Sequence, residues 1–485
     1  MSLTRKVAYN TVIQVVGKII TTFISLFLVA VLTRYLGVAG YGQYTTIFAY
    51  VGFAAVFADF GFFWILVREI ANPKADIDKA TSNVLTLRLF IGTIVFAIAS
   101  IIALFIPQYH DFRIGIAIVA FASLWLALNS TYVGVFQNKL RMDKAVITDI
   151  LGRVIIVGII YVLIQKGAGL NLFLWAFVIG NFLNFVVSAY LGRIYVRFRL
   201  VFDFSYWKKV FWRALPMGIV LILGLVYFKI DTVMLSLMRS SEDVGIYGPP
   251  YKVLELLMFF PAIFMGNVFP IVTRYLYEND SRVHHALQRS FDFLVIVAVP
   301  IVLGVIFTSA RIIKLVAGQE FVTAHTIEPV WGLPATSSTA LQILVIAVGI
   351  SFISQMFGYV VIALGKQAKL IGPYLILVIF NIGMNLILIP KISYIGAAVI
   401  TVLTEALVLF FSWWVAHKYL EIKLHLGIIW RVLVAGAVLG IFLFFCAQYI
   451  HLLILIPLSA ILYAAVLYLV GGINKDMFLS LVRKE

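Results

Sequence analysis

Residues 8–33 read AYNTVIQVVGKIITTFISLFLVAVLT, an apolar run long enough to cross the hydrocarbon core of a bilayer. The run carries a single charge, Lys18, about ten residues in from its start. A lysine at that depth is expensive in lipid, and such residues normally face a bundle interior or a water-filled cavity. The run therefore predicts a membrane-spanning helix with a cationic group on its inner face.

Runs of the same kind fill the rest of the chain. Only 12% of its 485 residues are charged and 63% are hydrophobic, whereas soluble proteins carry about 25% charged residues. We predict an all-α integral membrane protein with about 14 transmembrane helices. The predicted spans are 8–33, 43–66, 84–106, 114–136, 146–164, 172–192, 214–238, 244–273, 290–310, 342–364, 370–390, 394–416, 428–447 and 452–471.

The basic residues of the chain set its predicted orientation. There are 37 Lys and Arg against 21 Asp and Glu, a formal net charge of +16. In a soluble protein this excess would indicate nucleic-acid binding, but here most of these residues lie in short loops between spans. The positive-inside rule accounts for such loops. We therefore predict no nucleic-acid partner, contacts with membrane lipids, and a multi-pass protein of the plasma (inner) membrane with both termini cytoplasmic.

The most basic loop, residues 193–213, divides the predicted spans into six and eight. Two short motifs, RYLG followed by YG at 34–42 and VGIYG at 244–248, follow spans one and seven. Parallel repeats of six spans are one common way of building transporters. We expect an N-terminal lobe over 1–200 (spans 1–6) and a C-terminal lobe over 201–420 (spans 7–12), arranged around a central cavity. Spans 13–14 and a cytoplasmic tail would occupy 421–485.

Span one carries a polar stripe. Thr11, Gln14, Lys18, Thr21 and Ser25 recur at three- and four-residue intervals, so they share one helix face. Serine and threonine often join transmembrane helices, which is the structural alternative for this stripe. A central lysine in a span without any acid favours a cavity-lining face.

Two further pairs of charges have the spacing of neighbours on one helix face. Asp149 and Arg153 are four residues apart near the start of span five, and Lys252 and Glu255 are three apart in span eight. Both can satisfy themselves locally, although their cations could also contact an anion. Tyr251 beside the second pair is a candidate for stacking against a sugar.

Other charges lack a partner at helical spacing. Lys229 and Asp231 are two apart in span seven and therefore point to different faces. Asp59 in span two and Glu405 in span twelve are single acids in apolar helices. Each of these two could pair with a lysine of another helix or take up a proton during a transport cycle.

Signals for enzymatic chemistry are weak. The chain has one cysteine, Cys446, so a disulfide framework or a cysteine metal site is excluded. We find no Walker loop, no HExxH and no aspartate-rich glycosyltransferase motif. The prediction is a protein without cofactor, metal or catalytic residues.

Several motifs together resemble one known family. LTRYLG at 32–37 with YGQY at 41–44, LP at 215–216 with KID at 229–231, and GK at 365–366 with Asn381, Asn385 and GAA at 396–398 are similar to polysaccharide flippases of the O-antigen type. These belong to the multidrug/oligosaccharidyl-lipid/polysaccharide exporter superfamily. The resemblance implies two six-helix lobes around a cavity and export of a polyprenyl-pyrophosphate-linked oligosaccharide to the outer leaflet, for cell-surface polysaccharide biosynthesis.

The resemblance also suggests roles for individual side chains. The predicted headgroup contacts are Lys18, Lys229, Lys252, Arg34 and Arg153, and the predicted sugar contacts are Gln14, Tyr251, Asn381 and Asn385. The predicted charge-pairing or coupling acids are Asp59, Asp231, Glu255 and Glu405. The basic cytoplasmic loops could in addition dock other polysaccharide-assembly proteins.

Three alternatives remain open at this point. A drug/cation antiporter of the same superfamily is expected to carry an acid in span one, where this chain has Lys18. A lipid II flippase is expected to carry several arginines in its early spans. A membrane-embedded polymerase or ligase is expected to have a larger external loop than residues 311–341. Sugar identity, carrier lipid and energy coupling are not readable from the chain.

Overall fold

The computed structural model describes residues 3–72, 74–278, 280–422 and 424–472, with the backbone alone for residues 3–8, 216 and 220. Over this part the chain is helical, which confirms the predicted all-α class. The predicted cytoplasmic tail beyond residue 472 lies outside the described residues. The α-helices are α1 (Leu3–Asp59), α2 (Phe62–Ile70), α3 (Ile77–Leu104), α4 (Arg113–Asn138), α5 (Met142–Gln165), α6 (Leu170–Gly192), α7 (Phe204–Met238), α8 (Ser241–Tyr277), α9 (Arg282–Val316), α10 (Gln319–Thr323), α11 (Ser337–Ala363), α12 (Ile371–Leu420), α13 (Gly427–Cys446) and α14 (Leu452–Leu469).

Twelve helical segments of the described chain are long and apolar enough to cross a membrane. Two are far longer than one crossing requires, Tyr9–Ile70 with 62 residues and Gln367–Leu420 with 54, because about 20 helical residues span the hydrocarbon core. Each of these covers two predicted spans. The chain is thus a multi-pass membrane protein, and the predicted count of 14 spans holds approximately.

Local breaks divide the two long segments. Gly37 has φ 65° and ψ −173° inside α1, a conformation that glycine adopts without steric cost. In α12 the break falls at Ile392 and Ser393, and Ser393 has φ 46°. Both breaks lie between spans that the hydropathy pattern separates.

The glycine motifs of the sequence lie where two backbones approach closely. A Cβ atom at Gly42 in α1 would overlap the carbonyl oxygen of Ser241, and one at Gly245 in α8 would overlap that of Val38. Helices in lipid associate largely through van der Waals packing, so small residues that permit close approach are favoured. This contact explains why both motifs contain glycine.

The chain forms two compact units, Met1–Gly245 and Ile246–Glu485. In the N-terminal unit α4 packs against α1, α3 and α6 around a core that includes Tyr109, Phe136 and Leu174. In the C-terminal unit α11 packs against α9 and α12, and α13 packs against α9 and α14. The predicted lobes 1–200 and 201–420, and the central cavity between them, stay a prediction.

Candidate functional site

The N-terminal unit contains a cavity of about 350 Å³ between α1, α4, α5 and α6. Polar side chains from all four helices line it, together with apolar ones such as Leu126 and Val133. The polar lining residues are Gln14, Lys18, Thr21, Asn129, Ser130, Asp149 and Asn184. One compact unit of this membrane protein therefore contains an open cavity with polar and charged side chains on otherwise apolar walls.

Three residues of the polar stripe of span one, Gln14, Lys18 and Thr21, line this cavity from α1. Thr21 Oγ1 donates to the Lys18 carbonyl at 3.1 Å, and Ser25 Oγ donates to the Thr21 carbonyl at 2.8 Å. These two hydroxyl donors are thus directed at their own helix backbone. Lys18 and Gln14 are exposed and supply the longer polar side chains of the wall.

Asn10 holds this wall in register with the turn between α4 and α5. Its Nδ2 donates to the Leu140 carbonyl at 2.8 Å, and its Oδ1 accepts from the Met142 backbone N–H at 2.7 Å. A side chain that satisfies both a carbonyl and an N–H of a turn fixes that turn against the helix that carries it. Gln14 and Lys18, four and eight residues later, are thereby placed opposite the first turns of α5.

The α5 wall contains an ion pair that extends to α1. Arg153 Nε lies 3.2 Å from Asp149 Oδ1, and Arg153 Nη1 donates to Ser25 Oγ at 2.8 Å. Both charged side chains are about two-fifths exposed. The predicted local pair is present, and its arginine also joins α5 to the polar stripe. Lys18 and Asp149 line the cavity, and Arg153, which is outside the lining, pairs with Asp149, so the three charges sum to +1.

Two buried asparagines face the same cavity from α4 and α6. Asn129 is 6% exposed and Asn184 3% exposed. Their side-chain carbonyl oxygens make no hydrogen bond within the described part of the chain. Buried amides usually have partners, so these two are suited to bind a polar ligand. Sequence reasoning missed both, since a single asparagine in an apolar span resembles an ordinary interhelical contact.

A buried arginine supports the α4 wall from behind. Arg88 of α3 is 0% exposed and donates to Asp59 Oδ1 at 2.5 Å, to Thr131 Oγ1 at 3.0 Å and to the Ala127 carbonyl at 3.2 Å. It also donates to the hydroxyl of Ser130, which lines the cavity. The partner of Asp59 is therefore an arginine of the third predicted span. In the sequence, this partner could have been suspected from the position of Arg88, a lone arginine near the start of predicted span 84–106.

The remaining predicted residues of the N-terminal unit do not line the cavity. Arg34 is exposed and donates to the carbonyl of Ala30 at 2.8 Å. It lies sixteen residues after Lys18, about 24 Å along a helix at a rise of about 1.5 Å per residue. Lys229 of α7 is half-buried and Asp231 is 1% exposed.

The C-terminal unit holds the other candidates in separate places. Lys252 Nζ lies 2.8 Å from Glu255 Oε2 in α8, so the second predicted pair is also present. The Tyr251 ring lies 5.5 Å from that of Tyr247 and is 6% exposed. The cation and both rings therefore belong to one helix segment.

Two asparagines and one acid are buried within α12. Asn381 Nδ2 donates to Thr404 Oγ1 at 3.1 Å, and Asn385 Nδ2 donates to Asn381 Oδ1 at 2.9 Å. Both asparagines are 0% exposed, and the amide of Asn381 joins the two halves of α12. Glu405 is 4% exposed and lies 3.4 Å from Ser354 Oγ of α11. Sugar contact by the asparagines stays a prediction.

Metal binding has no support in the described residues, which contain no group of three or more His, Cys, Asp and Glu side chains able to hold an ion. The groups lining the cavity are an ammonium, a carboxylate, hydroxyls and amides. Such groups bind phosphate and sugar hydroxyls by charge and hydrogen bonding.

Comparison with known proteins gives consistent matches. The sequence profile of the polysaccharide biosynthesis protein family matches residues 4–276. A candidate O-antigen transporter of Shigella flexneri is 22% identical over 423 residues, covering 82% of this chain and 96% of that protein. A candidate low-salt glycan biosynthesis flippase of Haloferax volcanii, Agl15, is 22% identical and covers 93% of each chain. The lipid II flippase MurJ in an inward closed conformation has the same fold, with a TM-score of 0.76, 14% identity and coverage of 97% and 100%.

Proposed function

The chain belongs to the polysaccharide biosynthesis protein family, and we propose that it is a flippase for a lipid-linked oligosaccharide. Its cargo would be an anionic polyprenyl-pyrophosphate-linked oligosaccharide, moved from the inner to the outer leaflet by alternating access. The names of the relatives, an O-antigen transporter and a glycan biosynthesis flippase, support this function. They are transporters, and we propose that this chain likewise acts without a catalytic site.

The observation that carries the proposal is the cavity of the N-terminal unit, with Lys18 and several amides on its walls. A pyrophosphate is anionic and binds an ammonium through charge-assisted hydrogen bonds. The amides of Gln14, Asn129 and Asn184 offer donors and acceptors of the kind that sugar hydroxyls require. Because Asp149 is paired with Arg153, its carboxylate does not reverse the positive charge of the wall.

The proposal extends to the setting of the protein. We place it in the plasma (inner) membrane with both termini cytoplasmic, which agrees with the positive loops. The lipid tail of the cargo would stay among membrane lipids, and the basic loops would be free to dock other polysaccharide-assembly proteins. Proposed contacts outside the cavity are Arg34, Lys229, Lys252, Tyr251, Asn381 and Asn385.

The test is translocation in proteoliposomes that contain a polyprenyl-pyrophosphate-linked oligosaccharide. We expect Lys18→Ala to lower the initial rate by about tenfold or more, because a hydrogen bond to a charged group contributes about 1.5–3 kcal/mol. Lys18→Arg should restore part of the rate. Lys166→Ala is the matched control, since Lys166 is an exposed lysine that follows the C-terminus of α5.

The outcomes separate the competing functions. Equal rates for the native chain and Lys18→Ala would remove Lys18 from the headgroup site and leave the other cations to be tested. A native chain that exchanges drugs or inorganic cations but moves no glycolipid would refute the flippase function and favour the antiporter.

A further inference from the structure

The C-terminal unit contains a buried acid that, unlike Asp59, Asp149 and Glu255, has no cationic partner among the described residues. Glu405 lies in the second half of α12 and is 4% exposed. Its hydrogen-bond partner is the hydroxyl of Ser354 in α11, 3.4 Å from Oε2. Glu405 forms no ion pair with any residue that the structure describes.

The α11 helix, which carries Ser354, supplies no base to Glu405. The α8 helix also contacts α12, with Tyr247 Oη 3.4 Å from Thr401 Oγ1, and its Lys252 is paired with Glu255 at 2.8 Å. The α11 sequence, SSTALQILVIAVGISFISQMFGYVVIA, contains no Asp, Glu, Lys, Arg or His, and Glu405 is the sole charged residue of 393–416. The first half of α12 carries Tyr374 as its titratable residue before Lys391, which is exposed. Tyr359 of α11 donates to the Ala262 carbonyl at 3.3 Å. Lys369, in the turn before α12, is exposed.

A carboxylate in these surroundings would be a buried charge without a counter-ion. Such a group is costly in a low-dielectric interior, and a carboxyl there takes up a proton instead. The serine geometry fits a neutral carboxyl, because Ser354 Oγ also lies 3.3 Å from the Ser351 carbonyl. With its hydrogen directed at Ser351, the serine oxygen can accept a hydrogen bond from protonated Glu405.

The interface around Glu405 is also polar enough to admit water when it opens. Ser351, Ser354 and Thr404 are buried there at 1%, 3% and 1% exposure. Asn381 bonds Thr404, the residue next to Glu405, and Asn385 bonds Asn381. Waters bind where a site offers several polar partners. Ser354 and Ser351, on the α11 side of Glu405, are the polar groups that would bind water beside the carboxyl once the helices separate.

We propose that Glu405 is a proton-binding site that couples transport to the transmembrane proton gradient. The carboxyl is protonated in the conformation described here. When the interface between α11 and α12 hydrates, the O–H bond breaks, the proton passes to water, and the carboxylate remains until it takes up a proton from the other side. Each cycle would carry one proton. The link to glycolipid movement rests on the proposed function, whereas proton binding by Glu405 does not.

The first experiment tests proton binding without any cargo. In infrared spectra of the purified protein, the native chain should show a protonated carboxyl band that Glu405→Gln lacks. Glu278→Gln is the matched control, because Glu278 is a loop acid paired with Arg274 at 2.8 Å, and it should keep the band. Identical spectra of the native chain and Glu405→Gln would overturn the proposal.

The second experiment tests coupling in proteoliposomes that contain a polyprenyl-pyrophosphate-linked oligosaccharide. A gradient of one pH unit should change the initial translocation rate of the native chain and of Glu278→Gln by up to about tenfold, the factor that corresponds to one pH unit for one proton. Glu405→Gln should lose this response, and Glu405→Asp should keep part of it.

The possible failures are distinguishable. A native chain that moves glycolipid at a rate independent of the gradient, or a Glu405→Gln chain that keeps the full response, would overturn coupling through Glu405. A native chain that moves no glycolipid under any gradient would instead refute the flippase function, and the infrared spectra would then decide on proton binding alone.

Discussion

Asp59 in the N-terminal unit and Glu405 in the C-terminal unit are both acids within apolar helices, yet their environments are opposite. Asp59 lies 2.5 Å from the guanidinium of Arg88, whose Nη1 bonds two hydroxyls and a carbonyl of α4. Within the described part of the chain Glu405 has one hydrogen-bond partner, Ser354, and Tyr374 is its titratable neighbour. The charge state of an acid within the membrane therefore depends on the neighbouring helix. For Asp59, α3 supplies the cation Arg88, whereas α11 supplies no cation to Glu405.

This contrast separates a structural charge from one that can change. Arginine stays protonated in proteins, so the Asp59–Arg88 pair has one stable charge state. Glu405 can be neutral when buried and ionised when hydrated. The cavity that contains Lys18 thus lies next to the fixed Asp59–Arg88 pair, through Ser130. Glu405, the proposed coupling residue, lies among neutral polar groups.

The largest effect is expected for Asp59→Asn. This change leaves the guanidinium of Arg88, which is 0% exposed, without a counter-ion. Breaking a buried pair by removing one partner costs about 3–5 kcal/mol. We expect a strongly lowered Tm in detergent, measured by intrinsic fluorescence, and poor recovery of monodisperse protein.

The double variant Asp59→Asn/Arg88→Gln is the control for this prediction. It removes both charges together, so it should recover much of the lost stability. An Asp59→Asn variant as stable as the native chain would show that the α4 hydroxyls and carbonyl satisfy Arg88 without the acid.

A smaller loss is expected for Arg88→Gln alone. The side chain of Asp59 is 31% exposed, so its carboxylate can be hydrated or protonated when the arginine is gone. We expect the free energy of unfolding to fall by about 2 kcal/mol, the cost of leaving one buried polar group unsatisfied. The same Tm measurement would show this loss. A loss greater than that of Asp59→Asn would mean that Arg88 acts mainly by joining α3 to α4.

Local patterns were readable from the sequence, and contacts between helices were not. Bilayer thickness limits span length, so the apolar runs that cross the membrane could be predicted, and their number approximately. Helical periodicity placed Gln14, Lys18 and Thr21 on one face, where the structure has them lining one cavity. It also paired Lys252 with Glu255, three residues apart on one helix.

Helical periodicity could not predict the partner of Asp59, nor that Asn129 and Asn184 line the same cavity. Asp59 and Arg88 belong to different helices, 29 residues apart, and periodicity within one helix does not specify how a neighbour is rotated or shifted along it. Asn129 of α4 and Asn184 of α6 meet at the same cavity for the same reason. Apolar helices in lipid have many sterically acceptable packings, so the register depends on close contacts that a single sequence does not reveal.

Next in size is Ser354→Ala. The change removes the hydroxyl that Glu405 contacts and leaves a buried carboxyl without its hydrogen bond. The expected loss is about 1 kcal/mol, the usual net contribution of one hydrogen bond. The matched control is Ser100→Ala, since Ser100 donates to the carbonyl of Phe96 in its own helix at 2.8 Å and joins no second helix. A loss of several kcal/mol would indicate an ionised Glu405 that depends on Ser354.

The smallest effect on stability is expected for Glu405→Gln, the counterpart of Asp59→Asn at the other acid. Glutamine has nearly the shape of a protonated glutamate and keeps both a donor and an acceptor for Ser354. If the carboxyl is neutral in the folded protein, the change removes no charge. The free energy of unfolding, followed through the Tm, should then change by no more than about 0.5 kcal/mol. A loss as large as that of Asp59→Asn would mean that Glu405 is ionised and held by a cation in another conformation. The two acids would then be alike, and the distinction between a fixed pair and a proton-binding group would fail.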